Sequence, residues 1–281
     1  MFFRLAIAIC ALVAVAGCDS LARDAIYHPP QAPLTLEGLP AGTELITVDT
    51  ADGLTLSGIV ATGRRDRPVL LLFHGNAASA SGIVRWLAPL AEAGFGIVAA
   101  EYRGYSGNPG TPTQEGIAHD ADAFLALAEE LAGSRPVIVI GHSLGGGVAF
   151  DLSRRERLDA LITIGTFTST RDMAPGWARG LVPDPYDSLT AVNRADEAVF
   201  LIHGRADEVV PFDHMQRLAQ AAAQAELAGA SIALDHANHV PSGEKISRII
   251  RHIADQLDSP DDEPSRILTG MTWESFEEPA S

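Results

Sequence analysis

Cysteine is almost missing from this 281-residue chain: there are two, Cys10 and Cys18, both close to the N-terminus. The body of the chain therefore has no thiol for a disulfide or a cysteine-ligated metal. Basic residues are also scarce, with 20 Lys+Arg against 36 Asp+Glu and a formal net charge of −16. Duplex nucleic acid is bound by cations that displace counterions from phosphate, and no basic cluster interrupts this acidic background, so nucleic acid is excluded as a partner. The same charge is repelled by an anionic lipid surface, so any attachment to a membrane has to come from apolar matter. No apolar run is long enough to span a bilayer, and no metal-ligand spacing such as H-E-x-x-H occurs.

Hydrophobic residues make up 47% of the chain and charged residues 20%, a globular profile with room for one α/β domain and a sizeable core. Apolar matter for an anchor stands at the start. Arg4 precedes the short apolar run Leu5 to Ala16, which ends in Val15-Ala16-Gly17-Cys18. That length suits a signal segment rather than a spanning helix. Its ending resembles the bacterial lipobox, in which cleavage before the cysteine leaves Cys18 to carry acyl chains. Each buried methylene adds about 0.8 kcal/mol, so more than one chain gives stable anchoring. A plain signal peptide that happens to contain Cys18 is the alternative. With Asp19 next, the resemblance implies a lipid-anchored protein of the bacterial cell envelope, on the periplasmic face of the inner membrane.

Four segments follow: a signal peptide over 1–17, an anchor and spacer over 18–42, an α/β domain over 43–257 and an acidic tail over 258–281. The spacer is rich in proline (Pro29, Pro30, Pro33) and reads as lying over the domain. Glu44 to Val48 and Leu54 to Val60 flank Asp52-Gly53 as a hairpin. Continuous apolar runs then predict buried strands at Val69 to Phe73, Gly96 to Ala100, Val137 to Ile140, Ala160 to Ile164, Ala198 to Ile202 and Ile232 to Leu234. Helices are predicted over Ser79 to Ala93, Thr113 to Ala132, Leu144 to Arg155, Asp213 to Ala228 and Ser242 to Leu257. A hairpin followed by alternating strands and helices describes a mostly parallel sheet covered on both faces. The irregular stretch from Thr166 to Ala195 leaves room for a minimal cap. The tail, acidic and containing Pro260, Pro264 and Pro279, is expected to be disordered or loosely docked, although Trp273 and Phe276 have the means to pack.

Gly141-His142-Ser143-Leu144-Gly145 fits G-x-S-x-G, follows a predicted strand directly and opens a predicted helix. That context makes it a nucleophile elbow: a tight turn, with glycines where flanking side chains would collide, lifts the Ser143 oxygen above the sheet edge. A serine hydroxyl needs a base held by an acid, and in this arrangement they follow in the order Ser, acid, His, each after a strand. Asp207, past the Ala198 to Ile202 strand, is the candidate acid, with Glu208 as its rival. His239, past the Ile232 to Leu234 strand, is the candidate base, with His236 as its rival. For the oxyanion hole, one backbone N–H is expected from Leu144 and the other from Asn76, in the loop after the Val69 to Phe73 strand. The chemistry needs neither metal nor organic cofactor.

Taken in order, these segments carry a family resemblance: Phe73-His74-Gly75-Asn76-Ala77, Tyr102-Arg103-Gly104-Tyr105-Ser106, Gly141 to Gly146, Phe167-Thr168-Ser169 with Asp172-Met173-Ala174, Ile202 to Phe212, and Asn238-His239. The chain resembles the α/β-hydrolase superfamily, and within it the Bem46-like group that includes the ABHD13- and ABHD17-like proteins. The resemblance covers roughly residues 45 to 255. It implies hydrolysis of carboxylic esters or thioesters through an acyl-enzyme, with a small-molecule or lipid-like acyl ester as substrate. A peptidase or amidase on the same fold is the nearest alternative, and a non-catalytic envelope binding protein the alternative from another class. The lipobox and the acidic tail are departures that the family does not imply.

Overall fold

The computed structural model describes residues 22–258 and 269–276. The segment expected to be a signal peptide, the expected anchor residue Cys18 and most of the acidic tail lie outside the described residues. The strands are β1 (Thr43–Asp49), β2 (Thr55–Ala61), β3 (Val69–Phe73), β4 (Gly96–Ala100), β5 (Val137–His142), β6 (Ala160–Ile164), β7 (Ala198–Gly204), β8 (Gly229–Leu234) and β9 (Met271–Ser275). Among the described residues they form one sheet in the order β1-β2-β4-β3-β5-β6-β7-β8-β9. Pairing is parallel from β4 through β8 and antiparallel for the β1–β2 hairpin, for β2 against β4 and for β9 against β8.

The helices are α1 (Ala80–Trp86), α2 (Ala88–Glu92), α3 (Gln114–Ala132), α4 (Leu144–Ser153), α5 (Thr170–Met173), α6 (Ser188–Val192), α7 (Asp213–Gln224) and α8 (Gly243–Asp258). Alternate residues of each central strand feed opposite faces. Val69, Leu71 and Phe73 of β3 pack with Ile117 and Phe124 of α3, Val148 of α4 and Leu218 of α7, while Leu70 and Leu72 pack with Ile83 of α1, Leu90 of α2 and Ile249 and Ile253 of α8. Strands buried on both faces have no polar side to show, which is why they read as unbroken apolar runs.

Two expectations change. The helix expected over Ser79 to Ala93 is divided at Leu87, because Pro89 has no N–H to continue the ladder. Within the tail, Met271–Ser275 adds β9 to the edge of β8, with the Trp273 ring tilted against Phe200 (6.2 Å between centroids) and Phe276 buried. The spacer, in turn, is a docked strap. A helical turn at 22–26 leads into Tyr27, which is buried and donates its hydroxyl to Tyr186 (3.2 Å), and Arg23 pairs with Asp184 (3.1 Å). Further on, Thr35 and Ser81 exchange two hydrogen bonds. The strap thus runs from the cap, across the C-terminal ends of the strands, to α1.

Candidate active site

β5 ends in Gly141-His142 and α4 begins at Leu144, so Ser143 alone makes the turn, with φ 53° and ψ −115°. A non-glycine residue held there stores about 1–3 kcal/mol, and the surroundings have to enforce it. They do. Ser143 N–H donates to the Ile164 carbonyl of β6 at 2.9 Å, and Ser143 O accepts from Gly146 N–H at 3.0 Å. A Cβ on Gly141 would lie 2.3 Å from the Gly145 carbonyl oxygen, and one on Gly145 would lie 2.1 Å from the Phe73 carbonyl oxygen. Side chains there are excluded, and the elbow closes because both positions are glycine.

Asp207 follows β7 and is buried. One carboxylate oxygen, Oδ1, accepts the N–H groups of Val209 and Val210, each at 2.9 Å. The other, Oδ2, lies 2.8 Å from His239 Nδ1 and 3.2 Å from His203 Nε2. Burial raises the Asp207 carboxyl, but the bonds from His203, His239 and the Val210 amide outweigh it and hold the group well below the usual carboxylate range. An ionised acceptor facing Nδ1 fixes the His239 tautomer: Nδ1 carries the hydrogen and Nε2 is left with its lone pair. The rivals are elsewhere. Glu208 is exposed and makes no bond to His239, and His236 is exposed in a turn at φ 57°.

Sequence reasoning gave no specific role to three contributors, although Tyr105 lies in a segment that it had marked. Gly165, at the end of β6 with φ +59°, faces the His239–Asp207 pair so closely that a Cβ would lie 3.2 Å from His239 Nδ1. His142 lies against the His239 ring at 4.9 Å and against Trp86 at 5.0 Å. Burial pulls its pKa down to about 4, so the ring is neutral, and its Nε2 lies 3.0 Å from the His239 carbonyl oxygen. The third is Tyr105. Its hydroxyl donates to Asn76 Oδ1 at 3.0 Å, an oxygen that also accepts the backbone N–H of His28 (2.8 Å) and of Ala77 (3.0 Å). Asn76 Nδ2 donates to the Ile26 carbonyl at 2.6 Å. The Asn76 side chain is thus committed to the strap and to Tyr105, and Asn76 lines one pocket together with Ser143 and Leu144.

Tyr102-Arg103-Gly104-Tyr105-Ser106 braces the loop after β4. Arg103 is buried between Asp120 (2.8 Å) and Asp52 (2.6 Å), and its own backbone N–H donates to Asp120 at 2.9 Å. Below the same loop, His74 Nε2 meets Glu101 Oε1 at 2.8 Å, both side chains fully buried.

With this geometry in place, comparison with known proteins is informative. The family model described as alpha/beta hydrolase fold matches residues 68–185. Over 233 residues the chain is 33% identical to Rv2307c of Mycobacterium tuberculosis, covering 78% of this chain and 82% of that one. The chain belongs to the α/β-hydrolase family. It is also 32% identical over 184 residues to the zebrafish (Danio rerio) protein named lysophosphatidylserine lipase ABHD12, a match that spans 57% of this chain but only 48% of the lipase. Among solved structures, the Pyrococcus furiosus esterase Pf2001 superposes with a TM-score of 0.61 at 20% identity, covering 82% of this chain and 96% of the esterase. That likeness shows the fold.

In this α/β hydrolase the connection between β6 and β7 forms the cap. It consists of α5, a single 3₁₀ turn (Arg179–Leu181) and α6. Between cap and strap lies a pocket of about 570 Å³ that reaches Ser143, Leu144 and Asn76. Its walls are Ala22, Ala25 and Ile26 of the strap, Phe167, Met173, Trp177 and Leu181 of the cap, and Val209 and Val210 beyond β7. Among the described residues no charged side chain lines it. Smaller surface depressions elsewhere on the molecule, such as the one of about 350 Å³ between α7 and β9, contain none of these candidate residues. Among the described residues no group of His, Cys, Asp and Glu is arranged to hold a metal ion, and no helix is long and apolar enough to cross a membrane.

Proposed function

We propose that this chain is a serine hydrolase that cleaves carboxylic ester or thioester bonds, with Ser143 as nucleophile, His239 as base and Asp207 as the acid that orients it. The observation that carries this reading is the strained Ser143 turn at the inner end of an uncharged, apolar pocket. A substrate seated there presents its carbonyl to Ser143 while its acyl chain occupies the pocket. His239 Nε2 takes the hydroxyl proton as Ser143 attacks, and the resulting imidazolium is stabilised by Asp207 across the 2.8 Å contact. The Leu144 and Asn76 N–H groups hold the oxyanion, each worth about 2.7–4 kcal/mol in the transition state. His239 then returns the proton to the departing alcohol or thiol, and water releases the acid by the same path.

The motifs from Phe73 through His239 support a Bem46-like assignment within the family, and the Val15 to Cys18 pattern supports a lipid anchor on Cys18 in the bacterial envelope. The test is covalent labelling of the full chain by a fluorophosphonate, alongside Ser143→Ala and His239→Ala. The wild type is expected to label, Ser143→Ala to be blank and His239→Ala to label far more slowly. A folded wild type that stays unlabelled, or Ser143→Ala labelled as strongly, overturns the reading. Paired nitrophenyl ester and anilide substrates then separate an esterase from an amidase.

A further inference from the structure

Large apolar side chains that stand exposed are not scattered evenly. Among the described residues eight do so, and four of them, Met173 (38% exposed), Trp177 (83%), Leu181 (66%) and Val209 (57%), stand at the one pocket that contains Ser143. An apolar group gathered at the mouth of a site, rather than inside it, has no role in the fold and marks a contact surface. The charge around it is unlike that of the rest of the chain. The cap carries exposed Arg171 and Arg179, and each of the three acids between Thr170 and Val192 is engaged: Asp172 by Arg217 at 3.0 Å and the Thr168 hydroxyl at 2.7 Å, Asp184 by Arg23 at 3.1 Å, and Asp187 by Thr190 at the start of α6. Among the described residues, Asp24 and Glu208, both exposed, adjoin the pocket residues Ala25 and Val209 on the other sides. In a protein of net charge −16, this is a face from which repulsion by an anionic surface has largely been removed.

The strap supplies the direction. Ala22 is itself part of the pocket wall, and Cys18 is four residues earlier in the sequence, a reach of at most ~14 Å even when fully extended. A bilayer that holds Cys18 is therefore within one short segment of the Trp177 rim. Tryptophan, with an apolar ring and one N–H, is the side chain most at home at the boundary between headgroups and acyl chains.

We propose that Met173, Trp177, Leu181 and Val209 dock on the surface of the bilayer that carries the Cys18 anchor, so that the pocket takes its acyl chain directly from the membrane. The proposal rests on the lipid-anchor and serine-hydrolase readings above and goes beyond both. An anchor alone tethers the protein in any orientation, whereas docking turns the pocket mouth toward the lipid.

The test uses the full chain, processed and acylated, in vesicles of phosphatidylethanolamine and phosphatidylglycerol with and without brominated acyl chains. Trp177 emission is expected to be quenched by the brominated lipid, and Trp177→Phe, which leaves Trp86 and Trp273, is expected to lose most of that response. Leu181→Asp, a change at an exposed position, is expected to abolish the quenching while the protein remains with the vesicles. Wild type no more sensitive to brominated lipid than Trp177→Phe overturns the proposal; a doubled mass in the same sample then assigns the rim to a second copy of the chain. Fluorophosphonate labelling of Ser143 is read in parallel. Labelling without quenching overturns docking and leaves the hydrolase reading standing, and quenching without labelling does the reverse. Cys18→Ser that still fractionates with vesicles and takes up labelled palmitate removes the anchor, and with it the geometric basis of the docking.

Discussion

The ring of His142 supports His239 from below, its Nε2 3.0 Å from the His239 carbonyl oxygen and the two ring centres 4.9 Å apart. Trp86 closes the other side of His142 and also donates its indole N–H to the Pro241 carbonyl at 2.8 Å, so the loop bearing His239 is held at two points. The Nε2–H of His142 is the donor, which requires a neutral ring with its hydrogen on that nitrogen. Burial supplies the neutrality by pulling the pKa to about 4.

This has a consequence for stability against pH. Unfolded, His142 titrates near 6.5; folded, it titrates near 4. Between these values the unfolded chain binds more protons, so stability is full above about pH 6.5 and is lost as pH falls toward 4, a total on the order of 3 kcal/mol. His142→Gln keeps an N–H donor but cannot titrate. Urea unfolding at pH 7.5 and 4.5 is expected to show a smaller loss for the variant than for the wild type. Equal losses would remove His142 from the account. Asp207 acts in a lower window: its depressed carboxyl contributes stability above its unfolded value, near 3.9, that disappears as pH falls through the folded one.

Asp207→Asn tests the orientation of His239. The amide keeps the shape but no longer requires a hydrogen on Nδ1, so the lone pair no longer stays on Nε2. In other serine hydrolases with this arrangement the corresponding change lowers kcat by about 10⁴. The expected outcome here is a fall of similar order in the fluorophosphonate labelling rate, with cooperative unfolding retained at neutral pH. A variant that labels at the wild-type rate would show that Asp207 is a structural carboxylate for the Val209 and Val210 amides only.

How much of this was legible in the sequence depends on what sets each element. β3, β4 and β6 run between the predicted residues because a strand buried on both faces is written as an uninterrupted apolar run. The places of the candidates Ser143, Asp207 and His239, each past the end of an apolar run (β5, β7 and β8), were legible for the same reason. β9 was not, since a five-residue strand on the edge of β8 has one covered face and is flanked by acids and prolines that favour no structure. The strap was hidden because its contacts are long-range: Tyr27 finds Tyr186, and His28 finds Asn76, across separations that no local pattern encodes. His142 and Gly165 matter only through the side chains packed against them, which a linear motif does not record.

Asn76→Ala probes the strap. Three donors, from His28, Ala77 and Tyr105, lose their acceptor at once, and the Ile26 carbonyl loses its donor. At about 1 kcal/mol per bond these losses free the strap from the loop whose backbone is proposed to hold the oxyanion. The expected result is a kcat lowered by roughly 10–100-fold on a soluble nitrophenyl ester, the scale of a misplaced rather than a removed donor. Tyr105→Phe, which removes only one of the bonds, is expected to fall between wild type and Asn76→Ala. Should both variants keep wild-type kcat and change only thermal stability, the strap would be a clamp on the fold and nothing more.

Gly165→Ala places a single methyl group at the seam of the candidate triad. Gly165 is held at φ +59° because its N–H donates to the Ile202 carbonyl at 2.9 Å, tying the end of β6 to β7. Alanine tolerates that backbone at a cost of roughly 1–2 kcal/mol, which this fold can absorb. The methyl group itself would stand 3.2 Å from His239 Nδ1, 3.3 Å from its Cε1 and 3.4 Å from Asp207 Oδ2, so the ring and the carboxylate must give way by a few tenths of an ångström. His239 is the part able to move: Asp207 is pinned by two backbone amides and His203, whereas the His239 side chain retains 15% exposure. A displaced base loses its alignment with Ser143, and misplacement on this scale costs roughly 10–100-fold in rate. The expected profile is therefore a kcat/KM reduced by that factor, a melting temperature lowered by no more than several degrees and an unchanged circular dichroism spectrum. Full activity in Gly165→Ala would mean that the His239–Asp207 contact tolerates displacement, and that its 2.8 Å geometry is not what limits the reaction.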